Sequence, residues 1–183
     1  MTNHKDLRQM LNNEAGTPPE PAWLKQMPRE AKDTLLLKLI KQVNLLHGMT
    51  RQEVLHLLYT VQRVIHPAGE VIFRKGDDSD RTLYILISGK VDVLGQNQET
   101  GEETLLASLS PGQTFGEMAL VEGGERSAMV KAVDLSVSLR VSADRLDRYP
   151  DIAFKVYLNI ARILSKRLRD ANLALIDYAH ALD

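Results

Sequence analysis

The chain has 183 residues, with Lys+Arg 23 against Asp+Glu 24 and a net charge of −1. That length suits one domain with appendages, or at most two small ones, and the near-neutral balance gives no overall positive field for nucleic acid or an acidic membrane surface. The absence of cysteine excludes disulfides, thiolate metal sites and cysteine nucleophiles. No apolar run reaches the roughly 18 residues of a membrane span and the N-terminus lacks the apolar stretch of a secretory leader, so a soluble, cytoplasmic protein is expected.

In chain order, residues 3–14 can form a short helix with Leu7, Met10 and Leu11 on one side, too short to be stable without a partner surface. Pro18, Pro19 and Pro21 then forbid helix and favour an extended linker. A helix is expected over 28–47, with Pro28 in its first turn. Leu36, Leu39, Ile40, Val43 and Leu46 recur at helical spacing, and Gly48 marks its end. Thr50 and Glu53 have the spacing of a capping box that opens a second helix.

From about residue 61 short β-branched segments alternate with turn residues. Strands are expected at Val61–His66, Val71–Arg74, Leu83–Ser88, Lys90–Leu94, Thr104–Leu109, Ala128–Val133 and Ser136–Val141. Their regular spacing points to a closed or two-layer antiparallel barrel. Ser142 is a candidate N-cap for a short helix ending before Pro150. No glycine or proline interrupts Asp151 to His180, and thirty helical residues span about 45 Å. Tyr157, Ala161, Leu164, Leu168, Ala171, Leu175, Tyr178 and Leu182 alternate at spacings of four and three. Such a seam suits either packing along the barrel or self-association into a homodimer. The chain thus divides into an extension with a Pro-rich linker (1–27), a helical segment (28–60), a β region (61–141) and C-terminal helices (142–183). The fold class expected is α+β: a closed or two-layer antiparallel barrel with N-terminal helices and a long C-terminal helix.

The chemistry concentrates in residues 115–128. Gly116 permits a turn and a close approach. A helical turn from Glu117 leaves amide groups free to face an anion, and Gly123 and Gly124 force a second turn. Arg126 can hold a phosphate through two parallel hydrogen bonds, with the Ser127 hydroxyl adding another. A carboxylate beside an anion site makes sense if Glu117 accepts from a sugar hydroxyl, so the set suits a nucleotide. The plainer reading is an ion pair between Glu117 and Arg126 across a loop.

The block Phe115-Gly116-Glu117-Met118-Ala119-Leu120, followed by Arg126-Ser127-Ala128, resembles the phosphate-binding cassette of cyclic-nucleotide-binding domains. The flanking Pro67–Phe73 and Leu83–Gly89 segments agree, and the resemblance covers about residues 35–180 and implies that the barrel is a jelly-roll-like antiparallel β-roll. It implies that Glu117 bonds the ribose 2′-hydroxyl and that Arg126 and Ser127 contact the cyclic phosphate. It further implies that the amides of Gly116, Met118, Ala119 and Ala128 line phosphate and sugar. Leu106 is a candidate wall for the base, and Arg167 or its neighbour Leu168 a candidate cap. The plainer reading of Arg167, within the basic cluster Lys166-Arg167-x-Arg169, is a solvated helix face. Serine at 127 leans toward cAMP over cGMP.

His4, His47, His56, His66 and His180 show no metal-ligand spacing, and the cassette offers no paired acid and base. Neither a metal, a cofactor nor an enzyme activity is expected. After the final helix no length remains before Asp183 for a helix-turn-helix. The expectation is a stand-alone cyclic-nucleotide receptor that signals to an unidentified effector protein, without DNA or membrane binding. The alternatives are a module for cGMP or a cyclic dinucleotide, or an interaction domain with an empty pocket.

Overall fold

The computed structural model describes residues 20–97 and 100–180. The helix expected over 3–14 and most of the Pro-rich linker lie outside these residues, as does Leu182 of the seam.

The helices preceding the sheets are α1 (Ala22–Lys25), α2 (Arg29–Gln42) and α3 (Arg51–Thr60), with a 3-10 turn at Asn44–Leu46. Residues 20–27, read from the sequence with the extension, fold against the body: Leu24 is fully buried, and Trp23 and Met27 pack on the core. Pro28 is the N-cap of α2 rather than its first helical residue.

The helix expected over 28–47 stops at Gln42, because Val43 is extended (φ −95°, ψ 107°). The apolar spacing runs on through Leu46 because the 3-10 turn faces the same core, with Leu45 and Leu46 buried. A side chain supplies the turn's missing helical bonds. Asn159 Nδ2 donates to the carbonyls of Leu45 and His47, each at 2.8 Å. The capping box forms as expected: Glu53 N donates to Thr50 Oγ1 and Thr50 N to Glu53 Oε2.

Eight strands follow: β1 (Gln62–His66), β2 (Val71–Phe73), β3 (Thr82–Ser88), β4 (Val91–Gln96), β5 (Glu103–Leu109), β6 (Thr114–Phe115), β7 (Met129–Ala132) and β8 (Ser136–Ser142). The strand absent from the sequence reading is β6, whose two residues are too few to leave a periodic signal. The strands form two antiparallel sheets, β1-β8-β3-β6 and β2-β7-β4-β5. At the turn into β4, Gly89 has φ +85° and an added Cβ would lie 2.6 Å from the Ser136 backbone, so only glycine fits.

Alternation along β3 divides the interior into two cores. Leu83 and Ile85 point to the helices, joining Leu139, Val141, Leu36, Leu39, Leu45, Leu57 and Leu58 in a large aliphatic core. Leu86 points between the sheets, where Phe73, Val91, Leu109, Phe115 and Val130 make a smaller one.

After β8 come α5 (Ala143–Leu146) and α6 (Pro150–His180), with α4 (Glu117–Glu122) lying between β6 and β7. The Ser142 side chain makes no capping bond; the residue ends β8 opposite Thr82 instead. The first half of α6 packs on the large core through Ile152, Ala153, Val156 and Ile160. The heptad positions lie on a neighbouring stripe. Tyr157 and Leu164 are half-buried, while Ala161, Leu168, Ala171 and Leu175 are exposed. No described helix is long and apolar enough to cross a membrane.

Candidate nucleotide site

The chain from β6 to β7 is shaped around Gly116, which has φ +75°. An added Cβ there would lie 2.6 Å from Arg126 Nη1 and 3.3 Å from the Thr82 carbonyl. Glycine therefore permits both the turn into α4 and the approach of the guanidinium. The segment Arg126–Ala128 is held from the other side by the turn before β3. Arg126 N donates to the Asp77 carbonyl at 2.8 Å, and Gly76 N to the Arg126 carbonyl at 2.9 Å.

Arg126 is only 4% exposed. Its Nη1 donates to the carbonyls of Thr82 (2.7 Å) and Gly116 (3.3 Å), and its Nη2 to the Ser79 carbonyl (2.9 Å) and Thr82 Oγ1 (2.6 Å). The guanidinium carbon lies 4.3 Å from the Phe73 ring centroid, a cation–π contact. Phe73 is braced by Phe115 and Tyr84, which stack on each other at 5.0 Å. Every one of these partners is neutral. Burial pushes the guanidinium below its ordinary pKa, yet arginine stays charged in proteins. The result is a buried cation with no carboxylate paired to it among the described residues, although buried charges are normally paired. Its Nε is buried with no acceptor among them.

Glu117 is 3% exposed. Its Oε1 accepts from Arg167 Nη1, and Arg167 Nη2 donates to the Thr114 carbonyl at 2.7 Å. The Glu117–Arg126 ion pair of the plainer reading is therefore not made. The solvated-face reading of Arg167 holds only in part: its side chain stays 41% exposed, but α6 passes the site so that its guanidinium reaches in. Glu117 Oε2 is buried with no donor among the described residues. Burial raises the Glu117 pKa, and the charge of Arg167 opposes that rise.

These side chains border one cavity of about 250 Å³. Its wall contains Gly116, Glu117, Met118, Ala119, Arg126, Ser127, Ala128, Leu106 and Arg167, but not Leu168, the alternative cap, which is exposed. Ser127 is exposed, its hydroxyl 3.6 Å from Met118 Sδ. Leu106 on β5 is 62% exposed and forms an apolar flank. The sequence reading missed Val93, Val130 and the Phe73 ring as wall residues. It also missed Ser79 and Thr82 as the seat of Arg126. Their spacing along the chain carries no signal, since they lie 47 and 44 residues from Arg126 and only the tertiary fold brings them together. Among the described residues no group of three or more His, Asp or Glu could hold a metal ion.

The cyclic nucleotide-binding domain family matches residues 63–150. A cyclic AMP receptor protein of Thermus thermophilus is 38% identical over 135 residues, covering 72% of this chain and 60% of the relative. The crystal structure of the Thermus thermophilus catabolite activator protein superposes with a TM-score of 0.65 at 37% identity, over 74% of this chain and 63% of that one. Residues 63–150 belong to the cyclic nucleotide-binding domain family. A cAMP-dependent protein kinase regulatory subunit of Dictyostelium discoideum is also similar, at 30% identity over 64% of this chain and 36% of its own length. The chain thus spans about 60% of the length of the cyclic AMP receptor protein. Within the cyclic nucleotide-binding domain, the cavity lies between the smaller core and the start of α4, with α6 closing one side through Arg167.

Proposed function

We propose that this chain is a cyclic-nucleotide receptor that binds cAMP in the cavity bordered by Glu117 and Arg126. The observation that carries the reading is a complementary pair of unmet groups in one wall. Among the described residues a buried guanidinium lacks a counter-anion, and a buried carboxylate oxygen lacks a donor. A cyclic phosphate supplies the anion and a ribose hydroxyl the donor, each as a charge-assisted bond. Ser127 and the amides of Gly116, Met118, Ala119 and Ala128 complete the phosphate and sugar contacts. Leu106 flanks the base, and serine at 127 favours cAMP over cGMP.

The signal leaves through α6. A ribose hydroxyl at Glu117 changes the terms on which that carboxylate holds Arg167, so nucleotide favours one placement of the helix over another. A ligand shifts such an equilibrium only through this differential affinity. The exposed Leu168, Leu173, Leu175 and Ile176 on the distal half of α6 offer an apolar surface to a second copy of the chain, and the pair presents the change to an effector protein. The relatives named above, a cyclic AMP receptor and a kinase regulatory subunit, agree with a regulatory role rather than an enzymatic one.

Calorimetric titration with cAMP, cGMP and a cyclic dinucleotide tests the ligand. One saturable site per chain, tightest for cAMP, is expected. Tighter binding of cGMP or of a dinucleotide reassigns the ligand, and no binding of any nucleotide at high micromolar concentration removes the receptor reading. A monomeric mass by light scattering at every concentration, with and without nucleotide, removes the dimer.

A further inference from the structure

The sheet β1-β8-β3-β6 turns an apolar face to the helices, but the helices do not cover all of it. Leu83, Ile85, Leu139 and Val141 lie beneath them and are buried. Toward the far end Ile87 and Val137 are only half-covered, and Ile65 of β1, opposite Val137, is 51% exposed. Here Trp23 and Met27 of the α1 region and Leu35 of α2 form the other wall of a groove of about 460 Å³. Trp23 carries a second irregularity, an indole Nε1 buried with no acceptor among the described residues. A buried indole N–H normally finds a partner. Arg63, at the rim, has no ion-pair partner among the described residues.

The described chain begins beside this groove. Glu20 is held by Lys32 of α2 at 2.7 Å, and Leu35, one helical turn beyond Lys32, lines the groove. Residues 1–19 precede this point. Within them Leu7, Met10 and Leu11 share one side at helical spacing, and Asp6 and Glu14 are acidic. Residues 15–19, fully extended, reach up to about 17 Å, enough to place residues 3–14 over the groove from an anchored Glu20. A tethered segment also meets its site at an effective concentration near millimolar, which favours it over a second copy.

We propose that residues 3–14 dock intramolecularly in this groove, with Leu7, Met10 and Leu11 against Ile87, Val137 and Met27. A carbonyl of the segment then accepts from Trp23 Nε1, and an acidic side chain meets Arg63. Docking removes apolar surface from water, the general source of such stabilisation.

Trp23 is the one tryptophan of the chain, so its fluorescence reports the groove directly. In the full-length chain with L7D, M10D and L11D together, the emission is expected to shift to the red. Its acrylamide quenching constant should rise severalfold. Emission and quenching identical to the wild type overturn the proposal. So does wild-type protection that disappears on dilution, which assigns the groove to a second copy. Because the chain has no cysteine, N13C and R63C can be joined by a short bifunctional crosslinker without changing the apolar contacts. A crosslink within one chain is expected, and a crosslink only between chains, or none, contradicts docking.

Discussion

The two cores of the molecule differ in composition and in task. The helix-facing core is large and aliphatic, joining α2, the 3-10 turn, α3, α5 and the first half of α6 to one sheet. The core between the sheets is small and partly aromatic, and it supports a charged side chain, Arg126, against the Phe73 ring. Aliphatic packing is non-directional and tolerates drift, whereas a guanidinium held by four neutral acceptors and a ring has a fixed position. The difference teaches that stability and recognition are housed largely apart and meet at two helices: α4, whose Leu120 enters the large core three residues after Glu117, and α6. That helix is rooted in the large core by Ile160 and reaches the cavity by Arg167, seven residues later.

The largest test of this separation is Leu57→Ala in the large core. Leu57 is 2% exposed, and its truncation is expected to lower unfolding free energy by about 2–5 kcal/mol, measured by urea denaturation. Nucleotide affinity should stay close to wild type at temperatures where the variant is folded. A proportional loss of affinity would show that the cores are not separate.

Next is Asn159→Ala, at the join. It removes both donors to the Leu45 and His47 carbonyls, and one lost buried bond costs about 1–3 kcal/mol. Because α6 carries Arg167, this variant, unlike Leu57→Ala, is expected to weaken nucleotide binding as well as stability. Thr50→Ala touches only the large-core side. Loss of the capping box should cost about 1 kcal/mol, seen as a lower urea midpoint with unchanged binding.

The smallest effect is a pH slope from the inter-sheet side. His66 is buried, with Nε2 2.8 Å from Ser138 Oγ. Burial lowers its pKa from the usual 6.5, against the opposing charge of Glu70. The unfolded chain therefore binds this proton more readily. The stability tied to neutral His66 is fully present above pH 6.5 and is lost as pH falls through the lower, folded-state value. In His66→Asn, urea midpoints between pH 7 and 5 should fall less steeply than in the wild type.

How much of this could be read from the sequence depended on how local the signal was. Phe115 to Ala128 was legible because turn, carboxylate and arginine sit within fourteen residues of one another. The capping box at Thr50 and Glu53 was legible for the same reason. The break at Val43 was not, because Leu39, Val43 and Leu46 face one core whether or not the helix continues. The carbonyls that replace the helical pattern are met by Asn159, more than a hundred residues away. Arg167 was placed among candidates without a partner, since its bond to Glu117 depends on where α6 crosses the sheet. The pedestal of Ser79, Thr82 and Phe73 beneath Arg126 is likewise a product of tertiary folding, with the turn before β3 bonded to the Gly124–Arg126 segment.

The most direct measurement is cAMP affinity of Arg126→Ala against the wild type, with both shown to be folded by their urea transitions. Loss of the buried guanidinium should cost about 2–4 kcal/mol of binding, which is roughly a 30- to 1,000-fold weaker affinity. An Arg126→Ala protein that stays folded and binds cAMP as tightly as the wild type would contradict the account.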